Sequence, residues 1–254
     1  MDKWIGKTAV VTGASSGIGA AILVALAKAG VNVIGLARRK DRIEALAEQN
    51  KSAKGKIHSF ACDVTDPKSI DAAFDWIEKT FGTFHVFINN AGIWRCNQLT
   101  NDALKDSEII DTVNTNFTGL VLCSRKAVKL MQKNNEAGYI ININSIAGQI
   151  SACGFMAELG TNVYQATKHG VTNISEILRL ELALKPENKI KVSSVSPGIV
   201  MTDIFELAGI PEEGLKKFDG LKSEDIADAV AYLLSTPESV HVSELTIRPM
   251  NSQF

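Results

Sequence analysis

Tyr164 and Lys168 stand four positions apart in the run Tyr164-Gln165-Ala166-Thr167-Lys168. Their neighbours predict a long helix over 161–184, and residues at that spacing share a helical face. A phenol has a reference pKa of about 10, too high for a base at neutral pH. An ammonium held nearby favours the phenolate and lowers that value. The pair could therefore serve as a tuned proton donor and acceptor. Ser145 ends a predicted strand over 139–145, and its hydroxyl could donate to a carbonyl oxygen. Asn116 falls inside a predicted helical stretch over 104–133, where Asn is slightly unfavourable and wants a reason. Singly, each has a plain alternative in packing or helix surface. Together they describe proton exchange with an oxygen on carbon.

A second group could hold a phosphate. Gly13, Ser15, Ser16, Gly17, Ile18 and Gly19 lie in Thr12-Gly13-Ala14-Ser15-Ser16-Gly17-Ile18-Gly19, between the first predicted strand (8–11) and the first predicted helix (18–29). Small residues let the backbone approach a pyrophosphate, and the free N–H groups of the helix start point at it. A tight turn wants the same residues, but the place in a first strand–helix unit favours a dinucleotide. An NAD site commonly puts an acid about 20 residues further on, at the ribose 2′-hydroxyl. Here no acid occurs between Asp2 and Asp41, and the stretch reads Ala37-Arg38-Arg39-Lys40. Planar cations such as Arg38 and Arg39 suit a 2′-phosphate, so NADP is the expected cofactor. Asp63 with Val64, and Asn90, Ala91 and Gly92, follow the third and fourth strands; there they could touch an adenine edge or brace their own loops.

The elements that must position these groups alternate from end to end. Predicted strands at 8–11, 31–36, 57–62, 86–89, 139–145, 191–196 and 244–247 are separated by helical segments. Such alternation predicts an α/β fold: a parallel sheet with helices on both faces. No repeat or linker divides the chain, so one domain over 1–254 is expected. Its 254 residues carry 27 Lys and Arg against 28 Asp and Glu. That balance offers no electrostatic case for nucleic acid or an anionic membrane. The four cysteines form no metal-ligand spacing, so no metal is expected, and four reduced thiols suit the cytoplasm. No apolar run is long enough for a membrane span.

In order and spacing, these motifs resemble the short-chain dehydrogenase/reductase family, over nearly the whole chain. The resemblance implies a Rossmann-type, doubly wound, seven-stranded parallel sheet with helices on both faces, and an oxidoreductase with a catalytic tetrad of Asn116, Ser145, Tyr164 and Lys168. Tyr164 would exchange the proton with the substrate oxygen, Ser145 would orient that oxygen, Lys168 would bind the nicotinamide ribose, and Asn116 would hold a water. It also implies that Pro197, Gly198, Val200 and Thr202 approach the nicotinamide, and that the chain forms a homodimer or homotetramer. Within the family, Ala37-Arg38-Arg39 and Ile141-Asn142-Ile143-Asn144-Ser145 look most like the insect branch that oxidises the isoprenoid alcohol farnesol with NADP. One departure stands out: Tyr164 follows Ser145 by 19 positions, longer than is usual there.

A substrate wall is expected from Trp94, Phe155, Met156, Leu159, Ile204 and Phe205, with a lid over 203–220. A mostly apolar lining favours an isoprenoid or other apolar alcohol, or its aldehyde or ketone, over a sugar. Steroid and xenobiotic ketones, reduced by a broad carbonyl reductase, are the alternative. A non-catalytic NADP(H) sensor would have no use for a tuned phenol.

Overall fold

The computed structural model describes residues 1–135, 137–151, 157–210 and 219–252. Seven strands form one sheet: β1 (Thr8–Thr12), β2 (Asn32–Ala37), β3 (Ile57–Ala61), β4 (Val86–Asn89), β5 (Gly138–Ile143), β6 (Ile190–Pro197) and β7 (Glu244–Ile247). Their order across the sheet is β3-β2-β1-β4-β5-β6-β7, and every neighbouring pair is parallel. The expected doubly wound sheet is therefore present. The strands read as continuous apolar runs because helices bury both faces.

On one face pack α1 (Gly17–Lys28), α2 (Lys40–Gln49) and, near the end of the chain, α8 (Ser223–Ser235). Val11, Val33, Ile88, Ile141 and Val195 meet Ile22, Leu26, Ile43 and Val230 there. On the other face lie α3 (Pro67–Phe81), α5 (Gly119–Lys133) and α6 (Asn162–Ala183). Val10, Ile34, Phe87, Ile140 and Val192 pack there against Phe74, Ala127, Leu130 and Leu182. Asp66 starts α3 by accepting from Lys68 N at 3.0 Å, with Pro67 in the first turn, where a proline loses no helical hydrogen bond. Among the described residues no helix is long and apolar enough to cross a membrane.

A polar row crosses this second face. Asn89, Asn142, Ser194 and Glu244 are register partners on β4, β5, β6 and β7. Asn89 Nδ2 donates to Ser124 Oγ of α5 and to Asn142 Oδ1, both at 2.8 Å, and Asn142 Nδ2 donates to Ser175 Oγ of α6 at 2.8 Å. Asn89 and Asn142 are almost fully buried, so these bonds fix where α6 lies and cannot be traded for water.

Two local expectations are corrected. The stretch 104–133 is not one helix: α4 (Asp106–Val113) and α5 are joined by a π turn over Asn114–Thr118. Such single turns recur at functional sites, and this one contains Asn116. The strand expected to reach Ser145 stops at Ile143; Asn144 N still donates to Val195 O at 2.7 Å, after which the chain turns into a 3₁₀ segment over Ile146–Gly148.

Candidate active site

Helices leave β1 and β4 on opposite sides of the sheet, so a crevice opens at their carboxyl ends, the usual ligand position in such sheets. A cavity of about 520 Å³ occupies it, with walls contributed by the segments after β1 through β6. Its lining includes Ser15, Arg38 and Asp63 as well as Trp94, Tyr164 and Ile204. Tyr164 and Lys168 thus share one space with the residues of the glycine loop and with Arg38 and Arg39, while Ser145 and Asn116 lie outside the lining.

The glycine loop is shaped by close backbone approach. Gly13 has φ +65°, and a Cβ there would lie 2.8 Å from Ala91 Cα, so both conformation and space demand glycine. A Cβ on Gly19 would meet Gly13 O at 2.5 Å. Asn90 stitches the loop after β4 to this turn: its Nδ2 donates to Thr12 O at 2.9 Å and Gly13 O at 3.3 Å, while Asn90 N and Ala91 N donate to Thr12 Oγ1 at 3.0 and 3.1 Å. Asp63 Oδ1 accepts from Thr65 N at 2.9 Å and Thr65 Oγ1 at 2.8 Å, so it braces its own loop while lining the cavity. Gly17, Ile18, Val64 and Gly92 also line it.

Of the three cations after β2, Lys40 is paired with Glu44 at 3.0 Å along α2. Arg38 and Arg39 are exposed and line the cavity. Arg39 Nη2 lies 3.5 Å from Ser15 Oγ and 3.4 Å from Ser16 Oγ. Two guanidinium groups beside a glycine loop fit an additional phosphate, and the start of α1, where Ser16 makes no side-chain cap, offers free N–H groups that fit a pyrophosphate.

Helix α6 presents Tyr164 and Lys168 together. Lys168 is 7% exposed; its Nζ donates to Ile143 O at 3.0 Å and lies 5.7 Å from the Tyr164 ring centre. Burial depresses the ammonium to about 8. Burial also pushes the Tyr164 phenol up, and a hydrogen bond with Ser145 pulls against that rise. The lowering expected from Lys168 is therefore set against the larger influence of burial on the phenol. Both groups are out of water, and desolvation favours the neutral form of each. Ser145 caps the 3₁₀ segment, its Oγ accepting from Ala147 N at 3.1 Å, which leaves its proton to be donated.

Asn116 is 1% exposed and braces this centre from behind. Its Oδ1 accepts from Ile93 N at 2.8 Å, and its Nδ2 donates to Ile93 O at 2.8 Å and to Thr167 Oγ1 at 3.2 Å. Thr167 Oγ1 in turn donates to Tyr164 O at 2.6 Å. Both side-chain donors are engaged with protein, so a water held by Asn116 would have to meet its oxygen or backbone.

The apolar wall is partly as expected. Trp94 is 7% exposed; its ring lies 5.9 Å from Tyr164 and 5.9 Å from Phe205, the latter edge-on. Phe205 belongs to the short helix α7 (Ile204–Leu207), whose Ile204 and Leu207 face the cavity. Arg95 Nη1 donates to Leu207 O at 3.0 Å, and Arg42 Nη1 lies 3.9 Å from Asp203 Oδ2, so α7 is tied on two sides. Leu159 packs beside Cys96, whose Sγ donates to its carbonyl at 3.0 Å. Phe155 and Met156, and 211–218 of the expected lid, lie outside the described residues. Thr202 lines the cavity. Pro197 ends β6, Gly198 packs on Arg248 and Pro249, and Val200 is buried in the core beside α8. Arg95, Asp111 and Thr115 line the cavity without having been picked out from the sequence. The neighbour of Asn116 in the chain was the one available signal for Thr115.

Residues 7–212 match the family model described as short chain dehydrogenase. The chain belongs to that family of oxidoreductases. It is 47% identical to a farnesol dehydrogenase of Aedes aegypti, over the full length of both. Against dehydrogenase/reductase SDR family member 11 of Homo sapiens it is 36% identical, over 98% of this chain and 96% of that protein. Among solved structures, the closed form of serine dehydrogenase complexed with NADP⁺ superposes with a TM-score of 0.85 at 26% identity, covering 97% of this chain and 96% of that one.

Proposed function

We propose that this oxidoreductase uses NADP(H) to interconvert an apolar alcohol and its aldehyde or ketone, an isoprenoid alcohol such as farnesol being the leading substrate. The observation that carries the reading is the placement of Tyr164: beside Ser145 and Lys168, inside a cavity whose lining also includes Arg38, Arg39, Trp94 and Ile204. The nicotinamide, when bound, supplies or takes the hydride. The protein's part is the proton. Tyr164 gives it to or takes it from the substrate oxygen, and Ser145 holds that oxygen by donating its hydroxyl proton. The Lys168 ammonium, on the same helical face, favours the phenolate once it is charged. Arg38 and Arg39 would face the 2′-phosphate; Gly13 to Gly19 would cradle the pyrophosphate; Asp63, Val64, Asn90, Ala91 and Gly92 would border the adenosine half. Pro197, Gly198, Val200 and Thr202 would flank the nicotinamide.

Similarity to the Aedes aegypti farnesol dehydrogenase supports the substrate, as do the aromatic and aliphatic side chains around Trp94, since such linings select apolar ligands. Residues 203–210, whose Ile204 and Leu207 line the cavity, would flank it within a single domain. Two copies would meet through α4 and α6, whose Ile110, Ile177 and Leu180 are 56%, 40% and 49% exposed, with Leu184 just beyond α6 82% exposed. The reduced, buried thiols of Cys62 and Cys123 suit the cytoplasm.

The test is reduction of NADP⁺ followed by nicotinamide absorbance with farnesol, for the parent and for Tyr164→Phe. Turnover by the parent, with loss of about 10³-fold or more in kcat for the variant and unchanged NADPH binding, is expected. Equal turnover by both removes Tyr164 from the reaction.

A further inference from the structure

The long segment between Ser145 and Tyr164 ends in a strap. We infer that Asn162 is a positioning residue for Tyr164, locking the start of α6 onto the loop that carries Trp94; this rests on Tyr164 exchanging the substrate proton. Asn162 Nδ2 donates to Arg95 O at 2.6 Å and to Asn97 O at 3.0 Å, carbonyls 67 and 65 positions away in the chain. Its Oδ1 accepts from Val163 N at 2.6 Å. One amide thus joins two carbonyls of the Trp94 loop to the first turn of the helix. Its backbone sits at φ +37°, a left-handed conformation that Asn tolerates better than most residues. Strain of this kind persists where surrounding contacts over-determine it.

The surroundings do so. Asn97 N donates to Gly160 O at 3.0 Å, Trp94 Nε1 to the same carbonyl at 3.3 Å, and Cys96 Sγ to Leu159 O at 3.0 Å. A Cβ on Gly160, at φ +62°, would lie 2.7 Å from Asn97 N, so the two segments are in backbone contact. Two residues beyond Asn162, Tyr164 is then held from both sides. Thr167, anchored by Asn116, fixes its carbonyl. Asn162 fixes the turn that precedes it, and the Trp94 ring rests against its own. If the first turn of α6 rotates, the phenol leaves Ser145 and the wall formed by Trp94 moves with it. Misplacement of a reacting group by about 1 Å costs on the order of 100-fold in rate.

Two variants separate positioning from general support. Asn162→Gly keeps the left-handed backbone and removes the amide. Asn162→Asp keeps the shape and the acceptor for Val163 N but sets carboxylate oxygens against the Arg95 and Asn97 carbonyls. Rates are expressed per cofactor site, counted by NADPH fluorescence titration, so partial folding does not count as lost chemistry. Both variants are expected to lose about 10- to 100-fold in kcat with farnesol, with KM for NADP⁺ unchanged. The pH midpoint of kcat should also move, because the phenol loses its place beside Ser145. A fall of less than threefold, or an unmoved pH midpoint, overturns the inference. Tyr164→Phe runs in parallel: if that variant keeps its activity, the proton assignment fails, and if it is inactive while the Asn162 variants match the parent, only the positioning role fails.

Discussion

Arg39→Ala tests the cofactor residues of the cavity quantitatively. In the free protein the Arg39 guanidinium is exposed and, among the described residues, its hydrogen bonds go to Ser15 and Ser16 Oγ, at 3.5 and 3.4 Å. Those distances are at the long limit of hydrogen bonding, so its removal disturbs the fold little. A 2′-phosphate would replace them with charge-assisted hydrogen bonds, worth roughly 1.5–3 kcal/mol. At about 1.4 kcal/mol per tenfold, KM for NADP⁺ should rise about 10- to 150-fold. Arg38 remains, so binding is weakened rather than abolished. NAD⁺ has no phosphate at that position, and its KM should stay within about twofold. Initial rates at saturating alcohol, with each nucleotide varied in turn, give both constants. Repeating them at raised salt should shrink the NADP⁺ effect, since Arg39 is exposed and screening is strong there. A parallel rise for both nucleotides would refute the 2′-phosphate assignment, and so would no rise for either.

Two further outcomes follow from Lys168 and Phe205. Lys168 is depressed to about 8 from the ordinary lysine value of 10.5, so between those values the unfolded chain binds more protons and stability rises with pH. Lys168→Met should therefore abolish activity yet raise the melting temperature at pH 7, by at most about 3 kcal/mol of stability, less the lost bond to Ile143 O, with a smaller gain at pH 10. Equal gains at both pH values, or destabilisation at pH 7, would show that burial of the ammonium carries no such penalty. Phe205→Ala removes the edge-on contact that steadies the Trp94 ring, worth about 0.5–1.5 kcal/mol of stability; KM for farnesol should rise several-fold through the loosened Trp94 while KM for a small secondary alcohol stays put, and equal shifts for both would take Phe205 out of the substrate wall.

Sheet and site were legible in the sequence to different depths. Parallel strands buried on both faces leave continuous apolar runs such as Tyr139-Ile140-Ile141, so the strands could be anticipated, while their order across the sheet was not written in any local run. Tyr164 and Lys168 could be paired because helical spacing is a local rule. The π turn at Asn116 could not be read, because it arises from a contact with Ile93, 23 positions earlier. Ser145 was placed one element too early: β5 and β6 both supply apolar runs, but the register that ends at Ile143 and Val195 is a property of the pair. The state of Lys168 was also hidden. Its neighbours in sequence include Thr167 and His169, and only the packed cavity removes its water. Asn162 carried no signal, since a left-handed Asn differs from any other Asn only once the chain is folded.

The outermost strand contains an acid turned inward. Glu244 aligns with Ser194, and burial pushes its carboxyl up, opposed by hydrogen bonds from Ser196, Ser194 and Gln149. Leu245 and Ile247, on the opposite side of β7, pack with the apolar residues of α1 and α8. A slip of β7 by one residue would exchange the two sides, driving a carboxyl among Ile226, Val230 and Leu233 and exposing two aliphatic side chains to the serines. Only one alignment of β7 keeps both sides matched. Turning a charge inward on the outer strand also makes that edge a poor template for a foreign strand, so the polar row that seats α6 ends, at β7, in a device that blunts the edge of the sheet.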